Sequence, residues 1–71
     1  MMERISVRSS NIRSVGYETS SETLEVEFTS GSVYQYFDVP ENEYNGLMNA
    51  RSKGKYLNQN IKDHYRYVQI R

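Results

Sequence analysis

The 71 residues contain no cysteine, a single histidine and no long apolar run, and each shortage closes a class of function. Without cysteine there is no disulfide framework, no thiolate chemistry and none of the common structural zinc sites. His64 stands alone, so no histidine pair sits at metal-ligand spacing; neither a metal nor a cofactor is expected. No stretch approaches the roughly 20 apolar residues of a membrane span, and the opening "MMERISVRSS" lacks the apolar segment of a signal peptide. The expected location is therefore cytoplasmic, with no membrane partner. No repeat, low-complexity tract or linker divides the chain, so residues 1–71 are expected to form one domain.

What is present fits a small folded protein. Hydrophobic residues make up 37% of the chain and charged residues 25%, a globular balance. A chain this short buries only about 60% of the surface its unfolded form exposes, which leaves a thin core. Seven tyrosines and two phenylalanines supply much of the apolar mass. The net charge of zero hides a gradient: residues 1–50 carry Arg4, Arg8 and Arg13 against eight acidic residues, whereas residues 51–71 carry six basic residues against Asp63 alone. That asymmetry suggests an end that faces a polyanion; the plainer alternative is a solvated basic face without a partner.

Residues 1–10 alternate weakly through Ile5 and Val7, as a frayed end or an edge strand. Ile12, Val15 and Tyr17 mark a first strand over 11–18, whose apolar residues leave strict alternation around Gly16 and so hint at a bulge. "TSSE" (19–22) reads as a loop. In "TLEVEF" (23–28), Leu24, Val26 and Phe28 take one face and Glu25 and Glu27 the other, the pattern of a half-buried antiparallel strand. The glutamates are expected to keep the outer face soluble. A two-residue loop at Ser30-Gly31 would then pair Phe28 with Val33. A three-residue loop, with Gly31 left-handed, instead sets Val26 opposite Tyr34 and Leu24 opposite Tyr36. The three-residue loop is favoured because its glycine falls where positive φ is needed. Tyr34 and Tyr36 are then mainly core with hydroxyls at the rim, and Phe37 lies on the opposite face, needing cover or a partner.

At "DVPENEY" the period becomes helical. Pro40 suits the first helical position, Glu41 and Glu43 complement the dipole of the first turn, and Tyr44, Leu47, Met48 and Arg51 recur on one stripe. Asn45-Gly46 is alternatively a turn, but the spacing on either side favours a continuous helix. Ser52 can cap a second helix through Asp63, with Leu57 and Ile61 stacked and Lys55, Gln59 and Lys62 on a wet face. "HYRYVQIR" (64–71) alternates as a short final strand or an extended tail. The expected fold is α+β: a three-stranded antiparallel meander, then two short helices on one face, with that C-terminal segment as a candidate strand.

An enzyme is the least supported class. His64 adjoins Asp63, yet adjacent residues on a helix diverge and do not form an oriented acid–base pair, and no nucleophile-elbow pattern occurs. "GSVYQYF" has one glycine and cannot cradle phosphates as a glycine-rich loop does. The C-terminal third is more suggestive. Arg51, Lys53 and Lys55 surround a helix start, where free N–H groups favour anions, and Gly54 would let a phosphate approach the backbone. "HYRY" then alternates Tyr65 and Tyr67 with Arg66. Cations for phosphates and rings for base faces are what single-stranded nucleic acid requires. The same tyrosines, Tyr56 included, serve equally as staples over a thin core.

The segments "SSNIRSVGYE", "LEVEFTSGSVYQYFDVP" and "YNGLMNARSKGKYLNQNI" together resemble the KTSC domain, a short module named for the C-terminus of some lysyl-tRNA synthetases that also occurs as a stand-alone bacterial protein. The likeness spans Ser9 to Tyr67. Tyr34-Gln35-Tyr36 matches the family's central Tyr-x-Tyr, and Ser52, Gly54 and Tyr56 match its later Ser-x-Gly-x-aromatic. The family has no established function; the resemblance implies RNA as a partner class through attachment to the synthetase, and brings no catalytic residues. The expected function is a small RNA-binding module in which Arg51, Lys53, Lys55, Lys62 and Arg66 meet phosphate, Gly54 admits it, and Tyr65 and Tyr67 stack. The alternative is a protein-interaction or self-associating domain, docking its basic end on an acidic one or adding a strand through an exposed edge or Phe37.

Overall fold

The computed structural model describes residues 2–71; Met1 lies outside them. Strands β1 (Ile5–Ser6), β2 (Ile12–Glu18), β3 (Thr23–Phe28), β4 (Val33–Tyr36) and β5 (Tyr67–Gln69) form one antiparallel sheet in sequence order. Helices α1 (Glu41–Asn49) and α2 (Lys53–Tyr56), the latter continued by a π-helical segment (Leu57–Ile61), lie between β4 and β5. The sheet thus has five strands where three were expected. The central meander is the predicted one, and β1 and β5 fall in the two terminal segments read as an edge strand or frayed end and as a final strand or tail.

The β3–β4 hairpin takes the three-residue loop. Gly31 has φ of 98°, its N–H donates to the Phe28 carbonyl (2.9 Å), and Leu24 pairs with Tyr36 and Val26 with Tyr34. The bulge in β2 is real but sits elsewhere than Gly16. Ile12 pairs with Phe28 and Ser14 with Glu27, which leaves Arg13 as the extra residue. Looping that one residue out keeps Ile12 on the same face as Val15 and Tyr17. Gly16 serves another purpose: a Cβ there would lie 2.6 Å from the Glu3 carbonyl oxygen, so its lack of a side chain lets residues 2–4 cross close over the sheet.

Pro40 is the N-cap of α1 rather than its first residue, with extended ψ of 154°. Its ring fixes φ near the value either position needs. The helix runs through Gly46 because the Tyr56 ring packs where a side chain would stand. Ser52 caps α2, its Oγ accepting from the Lys55 N–H (3.4 Å). Beyond Tyr56 the helix widens, and the Lys62 N–H donates to the Leu57 carbonyl five residues back (2.8 Å). The spacing of Leu57 and Ile61 could not reveal this turn, because it buries both residues just as an α-helix would.

The core between helices and sheet consists of Ile12, Val15, Leu24, Val26, Tyr36, Val39, Leu47, Leu57 and Ile61. On the opposite face the expected solvated glutamates are otherwise disposed. Glu25 is 3% exposed, ion-paired with Arg4 and accepting from Gln35 Nε2 (2.8 Å). Glu27 accepts from Ser14 Oγ (2.8 Å) and lies within 3.7 Å of Arg4, 3.6 Å of Arg13 and 3.2 Å of Arg71. The alternation of "TLEVEF" was sound, but the N-terminal segment covers the face assumed to be wet.

Candidate nucleic-acid interface

The hairpin register places Phe28, Tyr34 and Tyr36 on the helix-facing side, and β5 adds Tyr67 opposite Tyr36. Toward the hairpin end the cover from the helices stops. There an open groove of about 410 Å³ is lined by these four rings together with Asn11, Asn58 and Lys62. Phe28 meets Tyr34 edge-on (5.6 Å, 89°), Tyr34 stacks on Tyr36 (6.4 Å, 20°), and Tyr67 leans against both at 5.7 and 5.9 Å. Such a cluster gains about 0.5–1.5 kcal/mol per ring pair beyond simple burial, which fixes the floor of the groove.

The rings differ in access. Tyr36 is buried, and burial, followed by the proximity of Tyr34, Tyr67 and Asp63, pushes its phenol up to about 12. Tyr34 is half-buried, with its hydroxyl 3.2 Å from Gln69 Oε1. Tyr67 is 56% exposed. Tyr36 therefore belongs to the core, whereas Tyr34 is shared between core and groove.

The eight residues singled out from sequence do not converge on one point. Lys62 and Tyr67 line the groove. Arg51 and Lys55 are exposed at the start of α2, and Lys53 is half-buried with Nζ 3.2 Å from the Ala50 carbonyl oxygen. Gly54 is buried, and a Cβ on it would lie 2.9 Å from Asn11 Nδ2. The close approach it permits is thus taken by Asn11 rather than left open to a phosphate. Tyr65 is half-buried, with its hydroxyl donating to Glu43 Oε2 (3.0 Å). Arg66 stands 5.5 Å over the Phe37 ring and 3.4 Å from Asp38, giving Phe37 the cover its position demanded.

Glu43 joins three elements. It receives the hydroxyls of Tyr56 and Tyr65 on its two carboxylate oxygens, tying α1 to α2 and to the segment before β5. The Glu43 hydrogen bond, then burial, raises the Tyr56 phenol to about 12. The same two causes, burial first, raise that of Tyr65. Tyr56 and Tyr65 are staples in this arrangement. The ring of His64 is exposed, with Nε2 3.1 Å from the Gln59 carbonyl oxygen.

The ion pairs also redraw the charge map. Arg4, Arg13, Arg66 and Arg71 each lie against a carboxylate. Among the described residues, the cations without an acidic partner are Arg8, Arg51, Lys53, Lys55 and Lys62, four of them on or flanking α2 and its π extension. Sequence reasoning missed Phe28, Asn11 and Asn58 as groove residues. The hairpin register was the available signal for Phe28; nothing local marks the two asparagines, which tertiary packing brings together.

Comparison with known proteins agrees with this architecture. The chain superposes over its whole length on the whole of a KTSC domain protein from Yersinia pestis, with a TM-score of 0.95 and 37% identity. It is 44% identical over 70 residues to an uncharacterized protein of Stutzerimonas stutzeri, covering 97% of this chain and 99% of that one. It is also 44% identical over 59 residues to a lysine–tRNA ligase of Nostoc punctiforme, covering 83% of this chain but only 10% of the ligase. The KTSC domain model matches residues 8–65. With sequence, fold and length all in agreement, the chain belongs to the KTSC domain family.

Proposed function

We propose that the chain is a non-catalytic RNA-binding module of the bacterial cytoplasm, which holds single-stranded or structured RNA along α2 and the aromatic groove. The observation that carries this reading is the juxtaposition of a four-ring groove with Lys62, a cation that no carboxylate among the described residues neutralises. Lys and Arg neutralise phosphates and release counterions, while rings accept base faces. A lysine–tRNA ligase that carries a similar 59-residue stretch in a tenth of its length lends further support, since that enzyme acts on an RNA.

The test follows labelled single-stranded RNA by anisotropy at two salt concentrations. Three or four phosphate contacts give a log–log slope of about −2 to −3. Lys53→Glu combined with Lys55→Glu should abolish binding while the thermal melt stays in place, because carboxylates are tolerated in the first turn of a helix. Unchanged affinity in that folded double variant would refute the reading.

A second reading rests on the free edge of β5, where Tyr67, Val68 and Ile70 are 56%, 43% and 49% exposed. An unprotected apolar edge is a template for strand addition. On that reading the chain self-associates or takes up a partner's strand. Sedimentation at raised concentration separates the two: a dimer favours the edge, and a monomer that binds RNA favours the groove.

A further inference from the structure

We infer that the groove captures one unpaired base of the bound RNA: its face on Tyr67, its edge on the amides of Asn58 and Asn11, and an adjoining phosphate on Lys62. The inference rests on the RNA reading above and goes beyond phosphate attraction, which any basic surface provides. Its volume of about 410 Å³ falls in the range of about 300–1,000 Å³ typical of small-ligand sites. Tyr67 leaves 56% of its surface to solvent, yet Tyr34 and Tyr36 hold its ring from behind at 5.7 and 5.9 Å. A stacking surface is therefore already formed before any base arrives, and little ordering is required on binding.

The polar wall supplies the second half of the recognition. Asn11 Oδ1 accepts from the Ser9 hydroxyl (3.1 Å), which orients the amide so that its N–H groups remain to donate. Asn58 is exposed and lines the groove, offering a donor and an acceptor side by side, the pattern that base edges complement. Lys62 follows Asn58 by four residues on the same wall. A base within a duplex has its faces covered by its neighbours and its pairing edge occupied. Only an unpaired base can give a face to Tyr67 and an edge to the amides together.

The experiment compares three labelled oligonucleotides of equal length: a single-stranded RNA, the same backbone carrying stable abasic spacers in place of bases, and the RNA paired with its complement. Loss of one stacked base costs about 5- to 150-fold in affinity, so the intact single strand should bind more tightly than the abasic strand by that factor. It should also bind more tightly than the duplex. Tyr67→Ala should close most of the gap between intact and abasic strands, and Tyr67→Phe should keep it. Equal, salt-sensitive binding of intact and abasic strands would overturn base capture and leave RNA binding standing. Failure of the folded wild-type chain to bind any of the three would remove both, and would point to the groove as a site for an aromatic side chain of a protein. The comparison on the wild-type chain decides the matter even if a variant fails to fold.

Discussion

An alanine within an exposed helix ordinarily gains about 1 kcal/mol over glycine, but at Gly46 a Cβ would lie 2.8 Å from Tyr56 Cζ and closer still to the hydroxyl. The ring would have to swing away and give up its bond to Glu43, and overpacking of this kind costs about 1–3 kcal/mol. Gly46→Ala should therefore lower the melting temperature, by roughly 4–8 °C per kcal/mol in a domain of this size. In a Tyr56→Ala background the same substitution should raise it, because only the helix preference then remains. A rise in both backgrounds would mean that Tyr56 does not occupy the space above Gly46. Gly46 looked like a liability in the sequence for a physical reason: its partner, ten residues further on, belongs to another helix.

At the level of elements, Arg4 ties the segment over Gly16 to the sheet through its ion pair with the buried Glu25, beside Glu27 at 3.7 Å. Removing one partner of such a pair leaves an uncompensated charge and costs about 3–5 kcal/mol. Arg4→Ala should fall near the lower end, since 22% of the Arg4 side chain reaches water, and a urea melt would read the loss. Glu27 adds a pH dependence. The hydrogen bond from Ser14 and the guanidinium groups of Arg4, Arg13 and Arg71 outweigh desolvation and hold its carboxyl below the ordinary range. A lowered folded value stabilises the fold fully above the unfolded value near 4.3 and ceases to do so as the pH falls through the folded value. Glu27→Gln should accordingly flatten the acid limb of the stability curve; an unchanged limb would show that Glu27 titrates alike in both states. The β3–β4 hairpin was legible because clean alternation met a single turn glycine, and α1 because proline and two glutamates announce its start. β1 and β5 were legible only as one of two alternatives each, since their hydrogen-bond partners are distant in the chain, and the π turn was not, since its burial pattern imitates an α-helix.

Over the whole molecule, the division into an acidic front and a basic tail dissolves. Arg71 folds back onto Glu27 and Arg66 onto Asp38, so linear charge counting overstated the cations left for a partner. Cations interleaved with rings made Lys62 and Tyr67 legible as candidates, and both line the groove. The groove itself was not, since it gathers β3, β4, β5 and the π segment from across the chain. Four phenols are raised: those of Tyr17 and Tyr36 chiefly by burial, that of Tyr65 by burial and then Glu43, and that of Tyr56 by Glu43 and then burial. A raised phenol stabilises the fold fully below the unfolded value near 10 and loses that contribution as the pH climbs toward about 12, the folded value of Tyr36 and Tyr56. Absorbance at 295 nm should thus show these four tyrosines ionising only as circular dichroism is lost. Ionisation of Tyr56 and Tyr65 with the fold intact, at the ordinary phenol value near 10, would contradict the hydrogen-bonded arrangement around Glu43.

The bulge at Arg13 acts as a change of reading frame written in side chains. On its two sides Ile12, an even-numbered residue, and Val15, an odd-numbered one, both face the helices. Deleting that single arginine would leave Ile12 beside Ser14 in strict alternation, still opposite Phe28, whereas keeping it within a regular ladder would put everything before it out of phase. In such an unbulged ladder Ile12 would leave the interior, and Asn11 would lose both its seat over Gly54 and its place on the groove wall. Fold and site thus both depend on one residue standing outside the ladder.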